Sequence, residues 1–293
     1  MDELKKVTVQ ILNAFTENDK GGNPAGVVLN ADVLSHENKL EIAKKVGLSE
    51  TAFVSGSKTA DFKLDFYTPT KQIAHCGHAT IATFSYLKQK GLLKGKTSSK
   101  ETIDGNRKIE IQGELAFMEQ LVPSYVDPSE KEEDILKSLG LVKTDLLPNA
   151  PLKVVNTGNS FLLIAVKNAE VLQQITPDFD AIQNISDEFD LIGYYVFTTD
   201  SETASDVTTR MFAPRYGILE EAGTGMAAGP LASYLYDVLQ IKKTSFQIQQ
   251  GKYMSPSSPS AITVKLELEN DKITSLMAGG KGVLARQMVI DVF

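Results

Sequence analysis

Residues 75–87 read His75-Cys76-Gly77-His78-Ala79-Thr80-Ile81-Ala82-Thr83-Phe84-Ser85-Tyr86-Leu87, and residues 224–235 read Thr224-Gly225-Met226-Ala227-Ala228-Gly229-Pro230-Leu231-Ala232-Ser233-Tyr234-Leu235. Each begins at a glycine-bearing loop and continues as a run of small and apolar residues without a charge. A helix that is apolar all round is a buried helix, so the chain is expected to enclose two inner helices. Upstream of each lies an apolar strand ending in proline, Phe66-Tyr67-Thr68-Pro69 and Met211-Phe212-Ala213-Pro214. Further upstream, Gly22-Asn23-Pro24-Ala25-Gly26-Val27-Val28 has a partner in Gly158-Asn159-Ser160-Phe161-Leu162-Leu163. Three paired features in one order point to an internal duplication, which has to be sought before local motifs are weighed.

Around the two runs, the pattern is mostly strand. Lys6 to Leu12 alternates as a half-buried strand does, and Ala60–Tyr67, Arg107–Gln112 and Glu114–Leu121 read similarly. His36 to Val46 places Leu40, Ala43 and Val46 on one helical face. In the second half, strands are expected near 152–157, 160–166, 193–199 and 206–213, and again from Phe246 onward. Pro230 is acceptable only within the first turn of its helix or as a kink. The predicted class is α/β (α+β), with two pseudo-symmetric domains, each a sheet wrapped round a central helix and a cleft between them. Pro123, Pro128 and the acidic run Ser129 to Asp134 mark the boundary, giving domains 1–122 and 123–293, with the last strand, 285–293, free to pack on the first.

Composition narrows the function. The 293 residues are 42% hydrophobic and carry a net charge of −7, which suits packed cores and disfavours a phosphate-backbone partner. No apolar run approaches the roughly 20 residues of a membrane span, and the opening Met1–Lys6 lacks a signal pattern. The single cysteine excludes an internal disulfide and fits a reducing, cytoplasmic setting. Neither nucleic acid nor membrane is expected as a partner.

The chemistry concentrates at the two helix starts. Unpaired N–H groups and about half a positive charge gather there, so an acidic protein can still hold a carboxylate. The first loop carries His75, Cys76 and His78, and the second Glu220, Glu221 and Thr224. A zinc reading of His75 and His78 lacks further ligands. Cys76 reads as nucleophile, base or core filler. His78 suits proton work because imidazole titrates near neutrality, or serves as a hydrogen-bonded structural residue. Glu50, in Ser49-Glu50-Thr51-Ala52-Phe53-Val54, reads locally as an exposed turn glutamate.

The ordered set Asn23-Pro24-Ala25-Gly26-Val27, Ser49 to Val54, Phe66 to Pro69, Cys76-Gly77-His78-Ala79-Thr80, Arg210 to Pro214, Glu220-Glu221-Ala222-Gly223-Thr224-Gly225 and Ala227 to Pro230 resembles the phenazine-biosynthesis PhzF-like isomerases over nearly the whole chain. That resemblance implies the diaminopimelate-epimerase-like fold, with two barrel-like domains, and an isomerase working without metal or organic cofactor on a small carboxylate-bearing metabolite. It places Glu50 as the acid/base, with His78 and Glu221 as further catalytic groups. Asn23, Cys76, Gly77, Gly223, Thr224 and Gly225 become substrate contacts. It further implies a homodimer, since such relatives are often dimers.

Three departures matter. The family's Glu-Asp-Pro is Glu220-Glu221-Ala222 here, its Thr-Gly-Ser is Thr224-Gly225-Met226, and its late Gly-Arg-Pro-Ser gives way to Ser255-Pro256-Ser257. Related racemases use one thiol from each half. Cys76 stands at the first such position, but Thr224 stands at the second, and threonine is far too weak an acid to replace a thiolate. A single-base proton shift by Glu50 is therefore expected, not two-thiol racemisation. The competing classes are a non-catalytic binder of small acids and a nicotinamide oxidoreductase. The latter rests on Gly223 to Gly229 and the Tyr86/Lys90 pair, without a strand immediately before the glycines. Gly91 to Thr97 reads as a helix end and a basic turn, not as a phosphate loop.

Overall fold

The computed structural model describes residues 5–200 and 204–292; the opening Met1–Leu4, Ser201–Thr203 and Phe293 lie outside. The chain separates into two units, residues 1–119 with 279–293 and residues 120–278.

The first unit contains β1 (Lys5–Ala14), β2 (Asn23–Val28), α1 (His36–Val46), β3 (Thr51–Ser55), β4 (Phe62–Tyr67), β5 (Gln72–Ile73), α2 (Gly77–Gln89), β6 (Thr97–Thr102), β7 (Gly105–Gln112) and β8 (Leu115–Gln120). The second begins in sequence with β9 (Ser124–Val126), α3 (Glu132–Ser138), β10 (Lys153–Asn156), β11 (Ser160–Ala165), α4 (Ala169–Gln174) and α5 (Phe179–Glu188). It continues with β12 (Gly193–Thr198), β13 (Val207–Phe212), α6 (Gly225–Asp237), β14 (Ser245–Gln250) and β15 (Ser260–Glu269). The long β16 (Lys272–Val292) gives its first residues to the second unit and the rest to the first.

In the first unit the strand order is β1-β2-β3-β4-β6-β7-β8-β16, and β16 pairs back onto β1 in antiparallel register from Lys5↔Val292 to Ala14↔Gly282. Eight strands thus close a barrel, which leaves no free edge. In the second unit the order is β16-β15-β14-β13-β12-β11-β10-β9. The duplication is visible in the pairing signs. β2 is parallel to β3 as β11 is to β12, and β3–β4 and β12–β13 are antiparallel. β4–β6 and β13–β14 are again parallel.

α2 buries every residue from Gly77 to Leu87, and α6 buries Gly225 and Ala227 to Tyr236. Three of their buried hydroxyls bond back one turn. Thr80 and Thr83 donate to the Cys76 and Ala79 carbonyls at 2.6 and 2.7 Å, and Ser233 donates to the Gly229 carbonyl at 3.0 Å. Small residues let the wall come close. A Cβ on Gly282 would meet that of Ser85 at 2.7 Å, while Ser85 Oγ accepts the Gly282 N–H at 3.0 Å. Pro230 lies in the second turn of α6, beyond the first-turn position that suits it, and removes the N–H that would bond the Met226 carbonyl.

Further cores form against helices other than α2 and α6. In the first unit Ile42, Ala43 and Val46 of α1 pack with Val9, Val28 and Phe53. In the second, α3, α4 and α5 supply Leu136, Leu172 and Ile182 to a cluster with Leu162, Tyr194 and Val196. Each fully buried aliphatic or phenyl side chain contributes about 1.5–3 kcal/mol. Tyr194 to Phe197 are fully buried here, so this apolar strand is core. The acidic run that was read as a boundary opens α3, whose Ile135 and Leu136 face inward. No helix among the described residues is long and apolar enough to cross a membrane.

Candidate active site

In the first unit, α1 stops at Gly47, whose left-handed φ of 70° turns the chain toward β3. Glu50 follows at the start of that strand. Its carbonyl accepts the Gly26 N–H at 3.1 Å, and a Cβ on Gly26 would meet Thr51 Oγ1 at 2.7 Å. Glycine at position 26 therefore lets β2 and β3 approach closely enough to fix Glu50. The residue is 7% exposed, so the local reading of an exposed turn does not hold.

Cys76 is the N-cap residue of α2, with His78 in its first turn, and both are buried. The His78 ring faces two acids. Its Nε2 is 3.2 Å from Glu50 Oε2, and its Nδ1 is 3.6 Å from Cys76 Sγ. Ligand atoms of all three residues lie within 4.8 Å of one another. The two closest contacts, however, use opposite nitrogens of one imidazole, which suits a chain of proton donors and acceptors better than one shared ion. Asn23, at the head of β2, is buried in the same unit.

His75 turns away from this cluster. Its Nδ1 lies 3.2 Å from the Lys100 ammonium, and burial, then the Lys100 charge, holds its pKa well below the imidazole range. A zinc site built on His75 and His78 therefore has no support in the side-chain directions.

In the second unit, Glu221, Gly223, Thr224 and Gly225 form the start of α6. The Thr224 hydroxyl donates to the Glu221 carboxylate, so it does not cap the helix. Gln250 is fully buried and organises the turn. Its Oε1 accepts the Thr224 N–H at 3.0 Å and the Tyr195 hydroxyl at 2.9 Å. Its Nε2 donates to the Glu221 carbonyl at 2.7 Å and to Thr224 Oγ1 at 3.0 Å. Met226, where the resemblance leads one to expect serine, receives the Asn159 amide on its sulfur at 3.6 Å. Glu220 is occupied elsewhere. It accepts two bonds from Arg210, at 2.8 and 2.9 Å, while Arg210 Nη1 donates to three carbonyls near the end of α4.

The structure therefore gathers Glu50, Cys76, Gly77 and His78 in one unit and Glu221, Gly223, Thr224 and Gly225 in the other. The glycine run from Gly223 follows β13 only after a ten-residue interval holding a 3-10 turn, so it does not form the strand–turn–helix of a dinucleotide site. Tyr86 and Lys90 pack as ring and cation, 5.4 Å apart, at the far end of α2. Two residues went unnoticed in the sequence. Gln250 ends the stretch Ser245-Phe246-Gln247-Ile248-Gln249-Gln250, and Lys100 sits in the polar run Ser98-Ser99-Lys100-Glu101-Thr102, which carries no apolar signal.

Comparison with known proteins agrees on one family. The family model described as phenazine biosynthesis-like protein matches residues 12–287. A Clostridium acetobutylicum protein named as an isomerase is 32% identical, with 98% of this chain and 100% of that protein covered. The trans-2,3-dihydro-3-hydroxyanthranilate isomerase of Pseudomonas chlororaphis is 27% identical, with 93% and 95% covered. The crystal structure of a Bacillus anthracis phenazine biosynthesis protein of the PhzF family superposes with a TM-score of 0.89 at 27% identity, covering 98% and 99% of the two chains. The fold is diaminopimelate-epimerase-like, as the closed barrel round α2 requires.

Proposed function

Because the chain belongs to the phenazine biosynthesis-like (PhzC-PhzF) family and is an isomerase, we propose that it moves a proton on a small carboxylate-bearing metabolite, with Glu50 as the acid/base and no cofactor. Glu50 removes a proton from a carbon acidified by a neighbouring carbonyl or carboxylate, and the proton returns elsewhere on the conjugated anion. No oxidant enters, because the electron pair stays on the substrate. The electropositive first turn of α2 faces anionic ligands favourably.

The observation carrying this reading is the buried 3.2 Å contact between Glu50 and His78 at the start of α2. A carboxylate so placed is shielded from water and has a proton partner within reach. His78 stabilises charge that develops on the substrate and keeps Glu50 oriented. Cys76 lacks a thiol counterpart at Thr224, which supports one base in place of two.

The test is to incubate the full chain in deuterium oxide with trans-2,3-dihydro-3-hydroxyanthranilate and a panel of unsaturated cyclic carboxylic acids, followed by proton NMR. Isomerisation with deuterium incorporation supports the reading. A melting shift with no exchange for any compound indicates a binder and overturns it.

A further inference from the structure

Among the described residues, Lys100 is the one lysine with no exposed surface. It lies on β6, where alternation turns Ser98, Lys100 and Thr102 inward. An ammonium is costly to bury without partners, and its partners here all lead to α2. Nζ donates to Thr80 Oγ1 at 2.7 Å, and the Thr80 hydroxyl in turn donates to the Cys76 carbonyl at 2.6 Å. Nζ also faces His75 Nδ1 at 3.2 Å and lies 5.1 Å from the centre of the Phe66 ring. A cationic Lys100 makes Nδ1 the acceptor, which places the His75 ring hydrogen on Nε2. The residues on both sides of Cys76 are thus tied to one buried charge.

We propose that Lys100 is a positioning residue for the Glu50–His78–Cys76 chain: through Thr80 and His75 its ammonium fixes the Cys76 turn of α2 and favours negative charge on the Cys76 sulfur. The consequence is local and balanced. The thiol proton moves to Nδ1 of His78, giving a thiolate and an imidazolium whose Nε2 lies 3.2 Å from Glu50 Oε2. No bond to carbon changes in that step. A cationic His78 is better suited than a neutral one to stabilise the anion formed when Glu50 takes a proton. This inference rests on the proposed function for its purpose, but not for its test.

The charges that face Lys100 are few. Burial pushes its pKa down to about 7; Cys76 opposes that shift, Arg107 adds to it, and Asp104 opposes it. His75 is neutral beside it. A negative Cys76 sulfur and the Lys100 ammonium therefore stabilise one another.

Cys76 is the only cysteine, so the thiolate absorbance near 240 nm of the full chain reports it alone once a Cys76→Ala blank is subtracted. Lys100→Met keeps most of the length of the side chain and removes the charge. The expected result is a thiol midpoint higher by about one unit or more, with far-ultraviolet circular dichroism unchanged. Lys100→Arg, which keeps the cation, is expected to hold the midpoint closer to that of the unmodified chain. A folded Lys100→Met protein with an unmoved midpoint overturns the proposal. Should that variant fail to fold, Thr80→Val decides, because it keeps the ammonium and cuts the link. A raised midpoint with faster amide exchange at residues 76–80 supports the proposal, and neither change overturns it. The titration needs no substrate, so its failure leaves the role of Glu50 standing, and loss of that role leaves the titration unaffected.

Discussion

Glu50 Oε2 and His78 Nε2 lie 3.2 Å apart, and both side chains are buried. The same imidazole presents its other nitrogen to Cys76 at 3.6 Å, so a carboxylate, a ring and a thiol form one compact cluster, with ligand atoms within 4.8 Å of one another. The backbone sets that cluster up. A glycine-permitted approach of β2 to β3 places Glu50, while the first turn of α2 places His78 and Cys76. Glu50 directly precedes β3, Cys76 is the N-cap of α2 and His78 lies in its first turn, so regular elements of one unit anchor all three.

Replacing Cys76 with alanine separates the single-base account from a two-thiol one. Cys76 acts through His78, so Cys76→Ala is expected to slow deuterium exchange by about tenfold, less than the 10²–10⁴ range for a lost acid/base. The rate is read with whichever panel compound exchanges fastest. Complete loss of exchange in a folded variant would favour the thiol as the base.

Lys100 also makes stability depend on pH in a defined direction. Its folded pKa is pushed down to about 7 from the ordinary 10.5. Between those values the unfolded chain holds a proton that the folded chain lacks, so stability rises with pH across that window. The urea midpoint of the native chain minus that of Lys100→Met should increase from pH 7 toward pH 10. A flat difference would show that Lys100 keeps its ordinary value.

Gly26→Ala tests the support beneath Glu50. The new methyl meets Thr51 Oγ1 at 2.7 Å, between two paired strands. Overpacking of this kind costs about 1–3 kcal/mol, measurable by urea titration. Because the Gly26 N–H bonds the Glu50 carbonyl, kcat should fall with it. An equally stable and equally active variant would show that this approach is not tight.

Glu221→Gln keeps an acceptor for the Thr224 hydroxyl and removes the negative charge. We expect the Gln250-centred turn to persist, with little change in melting temperature. If Glu221 orients or stabilises the reacting anion, kcat/KM falls, though less than on loss of Glu50. Unchanged kinetics in the folded variant would assign Glu221 to the turn alone.

Much of this was legible in the sequence because burial leaves a clear trace. Two charge-free runs after glycine loops announced α2 and α6, and His36–Val46 is the first helix at the expected residues. The helix starts drew attention to Cys76, His78 and Glu221 for the same reason. Glu50 was different: its local context reads as a surface turn, and only the ordered motifs marked it. Its burial comes from parallel pairing of β2 with β3, a contact between segments some 25 residues apart that no local period encodes. Lys100 and Gln250 escaped for a related reason. A polar residue facing a buried interior looks, in one dimension, like a polar residue facing water, and its partners, Thr80 in one case and Thr224 in the other, lie 20 and 26 residues away.

The central claim is that Glu50 moves the proton. Glu50→Gln keeps the shape of the side chain and removes the base. The direct measurement is the rate of solvent deuterium incorporation into the fastest-exchanging panel compound, native chain against variant, at one pH and one enzyme concentration. A fall of about 10²–10⁴ with the fold intact is the predicted result; exchange at the native rate would contradict it.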